Sequence, residues 1–228
     1  MTFNPKGISI DRSLPWACYP ALVTDNQDPE GLGRVKIKLP WSPEQDGDEY
    51  QAWARLATLM AGSNRGTWFI PEIDDEVLVA FLAGDPDRPI IIGSLWNGQD
   101  APPETIGSDN NIKSIVSRQG IRITLDDSTG QEAVTLQTPG GQKILLKDGP
   151  PEVEITDSSG NSVKLETSGI TIDAAANVTI NGASVKISAG IITMDAGTSK
   201  FNGVVQAETL IANSVVASSY TPGAGNIW

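Results

Sequence analysis

The sequence contains no histidine and a single cysteine, Cys18. The first absence removes the commonest general base and the commonest zinc or iron ligand. The second excludes a disulfide within the chain, and Cys18 itself reads as a small apolar residue near a first strand. Basic side chains are scarce too: 16 Lys and Arg face 28 Asp and Glu, a net charge of −12. Phosphate binding needs clustered Lys and Arg, so nucleic acid is excluded as a partner, and the surplus acid reads as a device for solubility. No apolar run approaches the roughly 20 residues of a membrane span, and no charged-then-apolar leader opens the sequence. The expectation is a chain folded in the producer's cytosol without a signal peptide.

What is present is turn chemistry and short alternation. There are 23 Gly and 15 Pro, while aromatics make up only 6%. That composition reads as all-β. Its texture changes near residue 105: five of the six Trp and 11 of the 15 Pro precede that point. The stretch "NGQDAPPETIGSDNN" (97–111) is the junction. Before it, "GRVKIKLPW" (33–41) sets Val35, Ile37 and Leu39 against Arg34, Lys36 and Lys38. "YQAWARLATL" (50–59), "EVLVAFLAG" (76–84) and "RPIIIGSLW" (88–96) add further strands, the last two joined across "GDPD". About five strands with two long loops suit a small closed barrel of the OB type. The chain thus divides into an arm (1–17), an OB-fold domain (18–105), a β-helical needle (106–200) and a tip or cap (201–228).

After the junction a repeat takes over. Apolar pairs spaced i, i+2 recur at Ile123/Leu125, Val134/Leu136, Ile144/Leu146, Val153/Ile155, Val163/Leu165, Ile170/Ile172, Val178/Ile180, Val185/Ile187 and Ile192/Met194. Successive pairs lie 11, 10, 9, 10, 7, 8, 7 and 7 residues apart, so the rungs shorten. A repeat this short means stacked strands whose neighbours supply the burial. A single-chain β-helix takes about twenty residues per coil around its own core, and no such coil is visible. Three intertwined chains solve the difficulty, because each contributes one face and the pairs of all three meet on an axis. Each Ile or Val so buried is worth ~1.5–3 kcal/mol. In one chain alone the same residues would lie on open sheet, which natural proteins avoid. Nine rungs stacked at one strand spacing give a rod of about 40 Å. An ordinary β-sandwich is the plain alternative on this pattern.

The stretch "GTWFIPEIDDEVLVAFLAGDPDRPIIIGSLWN" (66–97) resembles the spike proteins of contractile injection systems: baseplate assembly protein V of contractile-tailed phages, tailocin spikes and VgrG-type proteins. The resemblance takes in "GRVKIKLPW" and "WARLATLMAG", and continues through "GIRITLDDSTGQEAVTLQTPGGQKILLKD" (120–148), similar to the neck where that family's barrel enters its triple β-helix. Onto this chain it carries Gly33, Arg34, Trp53, Pro71, Glu76, Gly84, Asp85, Pro86, Pro89, Gly93 and Asn97 as barrel motif residues. One departure stands out: family members often have Gly in the "IPxxGxEV" turn, where this chain has Asp74. Asp tolerates left-handed backbone better than most residues, so the turn should survive. The resemblance implies a homotrimeric, membrane-puncturing spike in a virion or phage-like particle. It also implies a separate baseplate hub above the barrel and a target envelope beyond the needle. A PAAR-type tip protein at the far end is a further implied partner.

The residues offer little chemistry beside this. Some relatives of that kind carry a lysozyme domain between barrel and needle, but only about 15 residues stand in that place here, too few for a domain. The acidic clusters "EQDGDE" (44–49) and "EIDDE" (72–76) read as solvated loop charge, since nothing holds two carboxylates at a fixed separation. Axial iron held by histidines, which the family also uses, has no ligands here. No enzyme, cofactor or metal site is expected. Lys36, Lys38 and Trp41 suggest a nucleic-acid groove, but residues 1–108 carry 16 acids against 8 bases. The alternative function is a trimeric tail fibre that binds receptors or degrades glycans, which should carry clustered aromatics and acids on its shaft. Residues 201–228 read as tapering strands, as a seat for a tip protein, or as a frayed tail with Trp228 at its end.

Replacing Ile180 or Ile187 with Asp would bring three like charges together on a dry axis, so either variant should fail to assemble. Substituting Lys186, which alternation points outward, should leave assembly intact. Solution mass reads both, and a normal mass for Ile180→Asp would show the inward face to be misassigned.

Overall fold

The computed structural model describes residues 18–40, 50–85 and 87–219. The arm, Trp41, the acidic loop 44–49, Pro86 and the terminal "TPGAGN" with Trp228 lie outside the described residues.

Alternation builds the first body. Strands β1 (Tyr19–Asp25), β2 (Val35–Lys38), β3 (Gln51–Leu56), β6 (Glu76–Phe81) and β7 (Pro89–Leu95) close a barrel in the order β1-β2-β3-β7-β6. Every pairing is antiparallel except β3 with β7, where Arg55 faces Ile90 and Leu56 faces Ile91. That is the OB topology. The inward residues of alternate positions form one core: Val23, Val35, Ile37, Val77 and Val79 are wholly buried, with Phe81 and Ile91 nearly so. Tyr19 and Tyr50 close one end against Phe81, ring centroids 5.8 and 6.3 Å away. Bulges at Val23/Asp25 and at Leu78/Val79 bend the strands around so small a cylinder.

Two local readings change. The strand expected over 50–59 ends at Leu56, and the chain then forms a small hairpin, β4 (Ala61–Gly62) with β5 (Arg65–Gly66). The turn residues of "GSNRG" explain it, with Asn64 at φ 53°. Cys18 is exposed at the start of β1 rather than packed as an apolar residue. Asp74 does take the left-handed conformation, φ 74°, and its N–H donates to Val23 O at 2.9 Å.

Strands β8 (Ile112–Val116), β9 (Arg122–Asp126), β10 (Ala133–Gln137), β11 (Lys143–Lys147), β12 (Glu152–Thr156), β13 (Ser162–Glu166) and β14 (Gly169–Asp173) form a second sheet. It is an antiparallel meander in chain order. Each strand is five residues long, and the tight turns place Gly120, Gly130, Gly141 and Gly160 at positive φ. The last hairpin needs only Thr167 and Ser168 between Glu166 and Gly169.

Past Asp173 the described residues hold no strand. The pairs Val178/Ile180, Val185/Ile187 and Ile192/Met194 were expected on strands, and within one chain they are not. Length alone is not the reason, since the seven-residue step from Val163 to Ile170 still reverses, through Thr167 and Ser168. From Val178 onward the sevens repeat, and the described residues form no strand ladder within the chain. The chain instead bends at Ala183, Gly190 and Gly197.

Truncating the wholly buried Ile37 to Ala should destabilise the barrel by about 2–5 kcal/mol, read as its denaturation midpoint. The solution mass should not change, because the barrel core closes within one chain.

Candidate functional site

The register of the second sheet aligns the apolar pairs across every strand. Ile123, Leu136, Ile144, Ile155, Val163 and Ile172 stand directly opposite one another in turn, and Ile115 extends this ladder onto β8. A second ladder runs Leu125, Val134, Leu146, Val153, Leu165 and Ile170, and ends on β8 at Lys113. The twelve sheet members of the expected trimer-axis set therefore share one face. Ile115 was missed because β8 has no second apolar residue at i−2 or i+2.

Among the described residues, nothing covers that face. Ten of the twelve ladder residues are 36–70% exposed, against 0% for the valines of the barrel core. The opposite face is mostly polar yet less open: in β9 and β12 its polar positions are half-buried, and in β11 Lys143, Leu145 and Lys147 are. Ion pairing explains the inversion. Glu154, only 12% exposed, lies between Lys164 at 2.8 Å and Lys143 at 3.3 Å on the two flanking strands. The Lys164 hydrogen bond, aided by Lys143, holds the Glu154 carboxyl below its ordinary range, and Glu154 in turn raises the Lys164 ammonium. Long side chains thus cover their own face, and the apolar one is left open. Farther along, Val178, Ile180, Val185, Ile187, Ile192 and Met194 are 56–71% exposed.

Covering the exposed half of each ladder side chain would recover roughly 1 kcal/mol, on the order of 10 kcal/mol per chain. Joining a protomer costs about 4–15 kcal/mol. The ladders alone come close to that cost, and the pairs beyond Asp173 carry it over.

In the barrel, the motif residues gather at three places. At the first, Asp28 ties down the β1–β2 loop. Its carboxylate accepts from the N–H groups of Glu30, Leu32 and Arg34 and from the Arg34 guanidinium at 2.8 Å. Arg34 also lies over the Trp53 ring, 5.8 Å from its centroid. Gly33 sits at φ 72°, where a Cβ would meet the Trp68 ring at 3.0 Å. Asp28 escaped the sequence reading; an Asx-type loop closing on an Arg six residues later is the signal that could have found it. At the second, the Asn97 side-chain amide donates to Glu76 at 3.1 Å, and Pro71 O accepts from the amide of Asn26 at 3.4 Å. At the third, Gly84 at φ 76° and Asp85, which accepts from the Asp87 N–H, turn β6 into Pro89 and β7. Gly93 sits beside the bulge opposite Leu78.

The carboxylates of "EIDDE" hold the fold together. Glu72 pairs with Arg118 at 2.9 Å, Asp75 accepts the Glu72 N–H, and Glu76 receives Asn97. Glu104 pairs with Arg122 in the same way, tying the junction to β9. Among the described residues, no group of three or more Cys, Asp or Glu side chains is placed to hold a metal ion.

A closed OB barrel leading into an uncovered apolar sheet defines a class: a barrel adaptor joined to an assembly domain. Residues 19–96 match the family model of the Type VI secretion system/phage-baseplate injector OB domain, and residues 133–198 that of the phage baseplate V C-terminal trimerisation domain. Together they take in more than half of the chain, which belongs to the spike proteins of contractile injection systems, of the baseplate V and VgrG type. It is similar to the Type VI secretion system spike protein VgrG1a of Pseudomonas aeruginosa, 33% identical over 51% of this chain and 19% of that one. It is also similar to VgrG3 of Vibrio cholerae, 31% identical over 54% and 13%. A third relative is the actin cross-linking toxin VgrG1 of Vibrio cholerae, 37% identical over 46% and 10%. The chain spans less than a fifth of the length of these relatives.

Arg34 holds the Asp28 carboxyl far below its ordinary value of 3.8, helped by the three backbone N–H groups. A depressed carboxyl stabilises the fold above its unfolded value and loses that contribution as pH falls below it. Asp28→Asn should therefore lower the barrel's melting temperature at pH 7, and the gap to wild type should narrow below about pH 4. A gap independent of pH would show that charge is not what Asp28 contributes.

Proposed function

We propose that this chain is one protomer of a homotrimeric spike at the distal tip of a contractile phage tail or phage-like injection device. Its role is mechanical and non-enzymatic. The open apolar face of two unbroken ladders carries the reading. A sheet with that face uncovered has no stable resting place in water as a monomer, and the match to a trimerisation domain supports three chains as the solution. Around a three-fold axis the eighteen residues Ile123 to Met194 of the nine pairs would point inward and the Lys–Glu–Lys face outward. Past Asp173, where the described residues form no strand within the chain, backbone groups would find partners on neighbouring chains, which turns three sheets into one intertwined needle.

The barrel serves as the attachment. Its core closes within one chain, so it can keep its shape while its outer surface meets a baseplate hub. Exposed Leu59, Met60, Trp68 and Phe69, with the small β4–β5 hairpin, supply apolar area for that contact. Force from a contracting sheath would then pass through hub and barrel into the needle and so to the target envelope. A PAAR-type protein seated on the far end would sharpen it. The finished particle, rather than the cytosol in which the chain folds, is where the protein acts.

Light scattering after size exclusion should return about 72 kDa, three times the 24.1 kDa chain. A monomer at 24.1 kDa would overturn the reading, since the ladders would then have found cover within one chain.

A further inference from the structure

The segment beyond the sheet bends at Ala183, Gly190 and Gly197, seven residues apart, then at Gly203, Glu208, Asn213 and Ser218, where the spacing falls to five. Its side chains keep one register against these bends. Two residues after Ala183 and Gly190 stand Val185 and Ile192, and four after them stand Ile187 and Met194, while Gly197, six residues before Gly203, is the transition and has Ser199 and Phe201 in those places. Two residues after the later bends stand Val205, Leu210 and Val215, and four after them stand Ala207, Ala212 and Ala217. Extended backbone places even offsets on one side and odd offsets on the other. The exposures agree with that division. Val205, Leu210 and Val215 are 65–77% exposed, whereas their odd-offset neighbours Val204, Ile211 and Val216 are 92–97% exposed. A frayed tail has no cause to keep a period, an offset and an inward alanine together.

We infer that the three-chain packing does not stop near residue 200 but continues to at least Ser219 on a five-residue rung, each inward side chain covered by second copies of this same chain. The inference rests on the trimeric reading and extends it. A rung of five extended residues spans about 17 Å, against about 23 Å for seven, so the cross-section must shrink. The inward pair shrinks with it. Ile and Met at the fourth position give way to Ala, which leaves room for three backbones to approach. The same register holds on both sides of the transition at Gly197, and that return makes another copy of the chain the occupant rather than a separate partner.

Single cysteines in the full chain, on a Cys18→Ser background, test this. Leu210→Cys and Val215→Cys place thiols inward; Ile211→Cys and Val216→Cys place them outward. After copper-phenanthroline oxidation, non-reducing gels should show at least tenfold more covalent dimer for the inward pair. The third chain should stay uncoupled, because three thiols around an axis make one disulfide. Solution mass is measured on the same four samples. A trimeric mass with equal coupling at all four positions, or with none at the inward ones, overturns the five-residue rung and leaves the spike reading standing. A monomeric mass overturns both.

Discussion

A strand hides one face only if something stands over it, and among the described residues of its own chain the β8–β14 sheet has nothing to do so. Its two ladders present twelve aliphatic side chains in unbroken rows, and ten of them keep more than a third of their surface in water. Every other feature of the second half follows from that constraint. The turns are tight because neighbouring strands must stay in register for the ladders to align. Apart from Lys113 at the end of one ladder, the sheet's paired charges lie on the opposite face, where Glu154 sits between Lys143 and Lys164 without intruding on the apolar side.

The barrel answers the opposite requirement. Its apolar residues are used up inside one small cylinder, with Val23, Val35, Ile37, Val77 and Val79 fully covered. What the barrel offers outward is a set of loops fixed by polar bonds. Asp28 gathers three backbone N–H groups and the Arg34 guanidinium, and Glu76 receives Asn97. Ion pairs from Arg118 to Glu72 and from Arg122 to Glu104 join this rigid piece to the sheet. An object that transmits force needs both properties: an attachment that does not deform and a shaft whose cohesion is shared among chains.

The single chain also marks where sharing becomes obligatory. Rungs of seven to eleven residues reverse and pair within the chain as far as Asp173. The described residues past that point bend without pairing in strands.

The barrel strands, the six apolar pairs of the sheet and the tolerance of Asp74 for a left-handed turn could be read from residue order, because alternation and turn chemistry are local, whereas the three pairs past Asp173 form no strand within the chain. Asp28, Ile115 and the β4–β5 hairpin could not. Asp28 matters through a loop that folds back on Arg34; Ile115 belongs to the face only because β8 pairs with Ile123; the hairpin is too short for any periodicity. The alternation of Val153 and Ile155 determined by itself that one face would be apolar. Only the tertiary structure decided that this face lies open while the polar one is covered, since which side a neighbour shields depends on pairing across strands, and no count along the chain contains it.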